Sequence, residues 1–178
     1  MDIARFYGDV EAQGPLPPVG QWQPPFCGDI DMRITPDGTW HYNGTPIKRS
    51  EMVKLFASLL RREGDAYFLV TPVEKVGIMV EDVPFIAVEM TVENSALTFR
   101  TNVNDVVTAD ATHPLRFEIN DDGFRPYIHV RNGLEARLSR SLAHDLTALG
   151  DIREHESETW FGVSSGDLFF PVIRADRL

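Results

Sequence analysis

Two stretches decide the architecture: WHYNGTPIKRSEMVKLFASLL at residues 40–60 and IHVRNGLEARLSRSLAHDLTALG at residues 128–150. Each passes from a short alternating run into Asn-Gly, out through a second short run, and then past a Ser into an apolar pattern of helical period. Asn-Gly is a strong hairpin signal because both residues tolerate the positive φ that a tight two-residue turn needs. Asn43 and Asn132 are 89 positions apart, as are Gly44 and Gly133, and Ser50 and Ser139. Each Ser is expected to be the N-cap of its helix, accepting from the free N–H groups of the first turn. At the same offset Val53, Ala57 and Leu60 match Leu142, Leu146 and Leu149, so the core-facing stripe repeats as well. Turn, cap and helix period agreeing in order read as an internal duplication. Asp37-Gly38 and Asp122-Gly123 are only 85 positions apart, so the second copy carries extra residues ahead of its turn.

Outward from these stretches, AYFLV and KVGIMVEDV follow the first helix, and ETWFGV and DLFFPVI follow the second. Between the copies, PFIAVEMTVE and ALTFRTNVN alternate about Asn94-Ser95, with Ile86, Val88, Met90 and Val92 on one face and Leu97, Phe99 and Thr101 on another. Strands dominate and helices are few, which predicts an α+β fold of two tandem duplicated units, each of antiparallel strands plus one helix. Residues 1–28 are expected to form a Pro-rich extended arm, 29–113 the first unit with an extra strand hairpin, and 114–178 the second unit. The arm contains Pro15, Pro17, Pro18, Pro24 and Pro25, and its Leu16, Val19, Trp22 and Phe26 imply that it packs on the body.

The chain's 27 acids against 17 Lys and Arg give a formal charge of -10, which argues against nucleic-acid polymers and anionic membranes as partners. A single cysteine, Cys27, fits a reducing cytoplasmic location and is expected as a buried structural thiol. The N-terminal MDIARFYGDVEAQ has no signal-peptide core, and no apolar run is long enough to span a membrane.

In TPVEKVGIMVEDV, residues 71–83, Glu74-Lys75 follows a Pro at a strand connection. Adjacent residues on extended backbone point to opposite faces, so each is expected to find a different partner. A solvated turn is one reading; a functional pair is the other. Arg125, Arg131, Arg137 and Arg140 make a confined basic segment in which Glu135 is the only acid, suited to holding a phosphate or carboxylate as well as to ordinary surface duty. His113 near Asp105 and Asp110, and His155 within REHESE, read as parts of polar loops, so no metal site is assigned. Phosphate-binding, dinucleotide, nucleophile-elbow, zinc-protease and CxxC motifs are absent from the sequence, which therefore offers no catalytic residue and no cofactor.

GQWQPPFCGDIDMRI, WHYNGTPIKRSEMVKLF, YFLVTPVEKVGIMVEDVPF and VRNGLEARLSR together resemble the bacterial family of unknown function DUF1285, with TPVEK followed by VEDVPF as the more specific match. The resemblance implies two units with repeated motifs, the second like a pleckstrin-homology domain, and a ligand site between them. It places Glu74, Lys75, Asp82, Arg131 and Arg137 in matching motifs, with Thr71, Trp40 and Tyr127 as neighbours. The expected function is a cytosolic signalling or regulatory protein holding a small anionic, nucleotide-like ligand. Arg131, Arg137 and Lys75 would neutralise the anion, Glu74 and Asp82 accept from base or ribose, and Trp40 or Tyr127 stack on a ring. Two other readings stay open: a hydrolase using carboxylates with His113, and a protein-interaction module without a small ligand. The protein partner is not identified.

Overall fold

The computed structural model describes residues 16–178, which divide into two compact units, one up to Pro84 and the other Phe85–Leu178. The arm's first residues lie outside this range. In the first unit the order is β1 (Phe26–Ile34), β2 (Trp40–Tyr42), β3 (Thr45–Pro46), α1 (Ser50–Ser58), β4 (Leu60–Glu63), β5 (Ala66–Val70) and β6 (Lys75–Val80). In the second it is β7 (Phe85–Glu93), β8 (Ala96–Thr101), β9 (Val106–Thr108), β10 (Leu115–Asn120), β11 (Gly123–Arg131), β12 (Leu134–Leu138), α2 (Arg140–Ala148), β13 (Asp151–His155), β14 (Glu158–Ser165) and β15 (Leu168–Arg174), closed by a 3-10 turn at Ala175–Arg177. The series β1–β2–β3–α1–β4–β5–β6 reappears in order as β10–β11–β12–α2–β13–β14–β15, so the repeat is real at the level of elements.

Its turns rest on the chemistry read from the sequence. Asn43 and Gly44 have φ of 47° and 75°, and Asn132 and Gly133 have φ of 50° and 76°, the doubly left-handed geometry of a two-residue hairpin. Asn94-Ser95 and Glu156-Ser157 adopt it too, and the second pair converts REHESE from a loop into the end and turn of the hairpin β13–β14. Neither Glu nor Ser favours positive φ, so composition hid that turn.

The two helices differ at their starts. Ser139 caps α2, its side chain accepting from the Leu142 N–H at 3.3 Å. Ser50 is instead the first helical residue of α1, whose N-cap is Arg49, with no side-chain cap. Leu60 belongs to β4, because α1 ends at Ser58 and the chain turns directly into a strand; it is buried all the same. Leu149, at the end of α2, is exposed.

The sheets are mixed, not purely antiparallel. The first has the order β3-β2-β1-β6-β5-β4 with β1 and β6 parallel, and the second β10-β11-β12-β7-β8-β9 with β12 and β7 parallel. Strands β13-β14-β15 form a third, small sheet. Hairpin signals report only neighbours in sequence, so the parallel pairs had no local signature. The same pairing moves the boundary: β7 and β8, expected in the first unit, lie in the second unit's main sheet, and the units divide at 84/85 instead of 113/114. Within that hairpin Phe85, Ala87, Leu97, Phe99 and Thr101 are buried while Val88 and Val92 are exposed. The expected Ile86–Val92 face does not hold along β7, because a bulge between Ala87 and Glu89 interrupts the alternation.

Trp40 and Phe56 stack at 6.1 Å in the first core, with Leu60 and Leu69 buried near 0% exposure. In the second unit Phe85, Phe99, Ile128 and Leu146 are buried, and Tyr127 is buried on the opposite face of the sheet from Phe85 and Ile128. No helix among the described residues is long and apolar enough to cross a membrane.

Candidate functional site

The TPVEK segment forms a tight turn between β5 and β6. Thr71 is fully buried, its Oγ1 accepts from the Val73 and Glu74 N–H groups at 3.2 and 2.9 Å, and its own N–H donates to the Glu74 carbonyl at 2.9 Å. Thr71 is thus spent on the turn. Beyond it, Glu74 and Lys75 diverge as alternation requires. Lys75 Nζ lies 3.1 Å from Glu63 Oε2 and 4.8 Å from the centre of the Phe68 ring, crossing the aromatic ring to reach β4. Glu63 also holds Arg61, and these two cations, Lys75 first, keep its carboxyl below the ordinary value. Arg61 in turn donates to the Val19 and Trp22 carbonyls at 3.1 and 2.8 Å, which fastens the Pro-rich arm to β4. Glu74 has no such network. Its Oε2 is closed to solvent and has no hydrogen-bond partner among the described residues.

The arm lies on the unit as expected through Val19, which is buried, and Trp22, which is half-buried, whereas Leu16 and Phe26 are exposed. Cys27 is exposed as well, its thiol donating to the Pro25 carbonyl at 3.3 Å, because it sits at the start of β1 outside the core.

Of the other expected residues in the first unit, Asp82 is half-buried just beyond β6, and Trp40 is 1% exposed and stacked on Phe56. A ring so enclosed presents no face for a ligand. In the second unit Tyr127 is likewise 1% exposed, with the Arg116 guanidinium 4.1 Å from its ring centre.

Arg131 and Arg137 leave the sheet on opposite faces. Arg131 stands opposite Leu134, and its guanidinium is 5.1 Å from the ring centre of Phe85, the register partner of Ala136. Arg137 is the next residue after Ala136 and aligns with Tyr127 and Ile86 on the other side. Sequence proximity in the basic segment therefore does not become spatial convergence on one face. Arg131 is also engaged by Asp105 at 3.3 Å, and Arg125 by Asp122 at 3.0 Å. Asp105 Oδ2, like Glu74 Oε2, is closed to solvent without a partner among the described residues.

Sequence reasoning missed Arg61, Glu63 and Asp105. The first two alternate along β4, but Lys75 is level with Val70 while Arg61 is level with Phe68 and Glu63 with Ala66, so the contact runs diagonally across the ladder and has no local signature; Asp105 had no periodic signal, being in a loop. His113 and His129 stack with ring centres 5.8 Å apart, and the partners of their ring nitrogens are backbone groups. That arrangement lacks the carboxylate hydrogen bond expected of a hydrolytic dyad. Among the described residues no cluster of His, Cys, Asp and Glu could hold a metal ion.

A "DUF1285 family protein" from Silicibacter pomeroyi DSS-3 is 44% identical, matches 97% of this chain and 96% of its own, and superposes with a TM-score of 0.86. A second DUF1285 structure, from Shewanella baltica OS155, is 31% identical over 66% of this chain and 90% of its own, with a TM-score of 0.54. No curated protein matches. The N-terminal domain profile of DUF1285, a domain of unknown function, matches residues 17–83, and the C-terminal domain profile matches residues 84–172, meeting within one residue of where the two compact units divide. With both profiles in sequence and two related structures, the chain belongs to the DUF1285 family.

Proposed function

We propose that the protein is a non-catalytic, cytosolic binding protein of signalling or regulation that takes a small anionic, nucleotide-like molecule. The observation that supports this reading is the Glu74 carboxylate, whose Oε2 is closed to solvent and unpartnered among the described residues. A buried acceptor without a donor costs about 1–3 kcal/mol, more when charged, and a ligand N–H or O–H would recover that cost. The exocyclic amine of a base or a ribose hydroxyl supplies such a donor. In this reading the second unit's pleckstrin-homology-like character is a matter of shape alone, since a chain of net charge -10 is a poor match for phosphoinositide membranes.

Thermal-shift titration with nucleotides, dinucleotides, nucleotide second messengers and inorganic phosphate tests the proposal. At least one nucleotide is expected to give a saturable rise in melting temperature, with affinity falling about 10- to 100-fold in the Glu74→Gln protein. Arg131→Gln and Arg137→Gln, made separately because the two side chains leave opposite faces, test whether either guanidinium contributes to affinity. No shift with any member of the panel overturns the proposal.

A further inference from the structure

The described residues hold a second polar assembly, remote in chemistry from Glu74. His129 on β11 makes two ring hydrogen bonds whose partners dictate its protonation. Its Nδ1 is 3.0 Å from the Thr112 carbonyl, which can only accept, and its Nε2 is 3.0 Å from the Gly133 N–H, which can only donate. Both bonds exist together only in the neutral imidazole with the proton on Nδ1. His113 adds a third tie, Nδ1–H donating to the His129 carbonyl at 3.1 Å, and its ring stacks on that of His129. The assembly joins the Asp110–His113 loop to the left-handed Asn132-Gly133 turn of the β11–β12 hairpin.

From this geometry we infer that His129 is an acid-released clasp on that hairpin turn. Protonation places an Nε2–H against the Gly133 N–H, donor against donor, so the bond to the turn is lost. The His113 bond survives protonation of its own ring, but two stacked imidazolium rings repel. The surrounding charges are Asp110, Glu135, Arg116 and Arg131. Asp110 Oδ1 already accepts from the Thr112 N–H and hydroxyl and from the His113 N–H, each at 2.8 Å. Glu135, across the ladder from His129, is held by Arg116 through both oxygens at 3.0 Å, and Arg131 is held by Asp105. Asp110 Oδ1 and both Glu135 oxygens therefore already have donors in place.

Nitrogen NMR of the full-length protein, reading the His129 tautomer and the Gly133 amide exchange at about pH 8 and about pH 5, decides the matter. The Nδ1–H tautomer is expected at the higher pH. On acidification the Gly133 protection factor, corrected for the intrinsic exchange rate, is expected to fall about 10-fold. His113→Asn, which leaves both His129 ring bonds intact, should keep that fall, and His129→Asn should abolish its pH dependence. An Nε2–H tautomer at the higher pH, or equal Gly133 protection at both, overturns the inference on the unmodified protein alone.

Discussion

Arg61 shows how one side chain can organise a segment that has no secondary structure of its own. Its Nη1 closes on two arm carbonyls, and Glu63 holds the same guanidinium in place. Arg61→Gln should lower stability by about 1.5–3 kcal/mol, the range for charge-assisted bonds, and expose residues 16–25 to protease. Urea denaturation and mapping of the first cleavage site measure both effects. Glu63 adds a pH dependence whose sign follows from its partners. Lys75 and Arg61 hold its carboxyl below the ordinary value of 4.5, so its stabilisation is complete above that value and is lost as pH falls through the lowered one. Melting temperature is expected to drop in that acid range, and Glu63→Gln should remove this part of the drop. At neutral pH the same substitution should cost under about 1 kcal/mol, since the carboxylate is 41% exposed.

At the scale of elements, the paired helices allow a controlled comparison. Ser139→Ala removes a side-chain cap and should destabilise by about 0.5–2 kcal/mol, whereas Ser50→Ala removes no cap and should be close to neutral. Denaturant midpoints of the two variants provide the check; equal losses would mean that the caps are equivalent in solution. The hairpin turns are more uniform. Gly44 has φ of 75° with open space where a Cβ would stand, so Gly44→Ala meets no clash and should still cost about 1–2 kcal/mol from backbone strain alone. Gly77 is the opposite case: a Cβ there would lie 2.0 Å from Asp29 Oδ1, so an alanine must displace a side chain on the neighbouring parallel strand.

For the whole molecule, the division at 84/85 carries a direct test. A chain of residues 85–178 retains the parallel partner of β12, whereas one of residues 114–178 lacks β7, β8 and β9 and leaves one side of β12 unpaired. The longer chain should melt cooperatively and the shorter should not, as followed by circular dichroism. The duplicated hairpins, the helices and the divergence of Glu74 from Lys75 were legible in the sequence because they depend on neighbours: positive φ at Asn-Gly, a period of 3.6 and the alternation of a strand. What only the tertiary structure decided was which strands pair in parallel, that Trp40 and Tyr127 are enclosed, and that Arg131 and Arg137 part across a sheet. Those outcomes depend on ladders between strands far apart in the chain and on a register that a single bulge between His129 and Arg131 reverses, and such long-range pairing leaves no mark in local sequence.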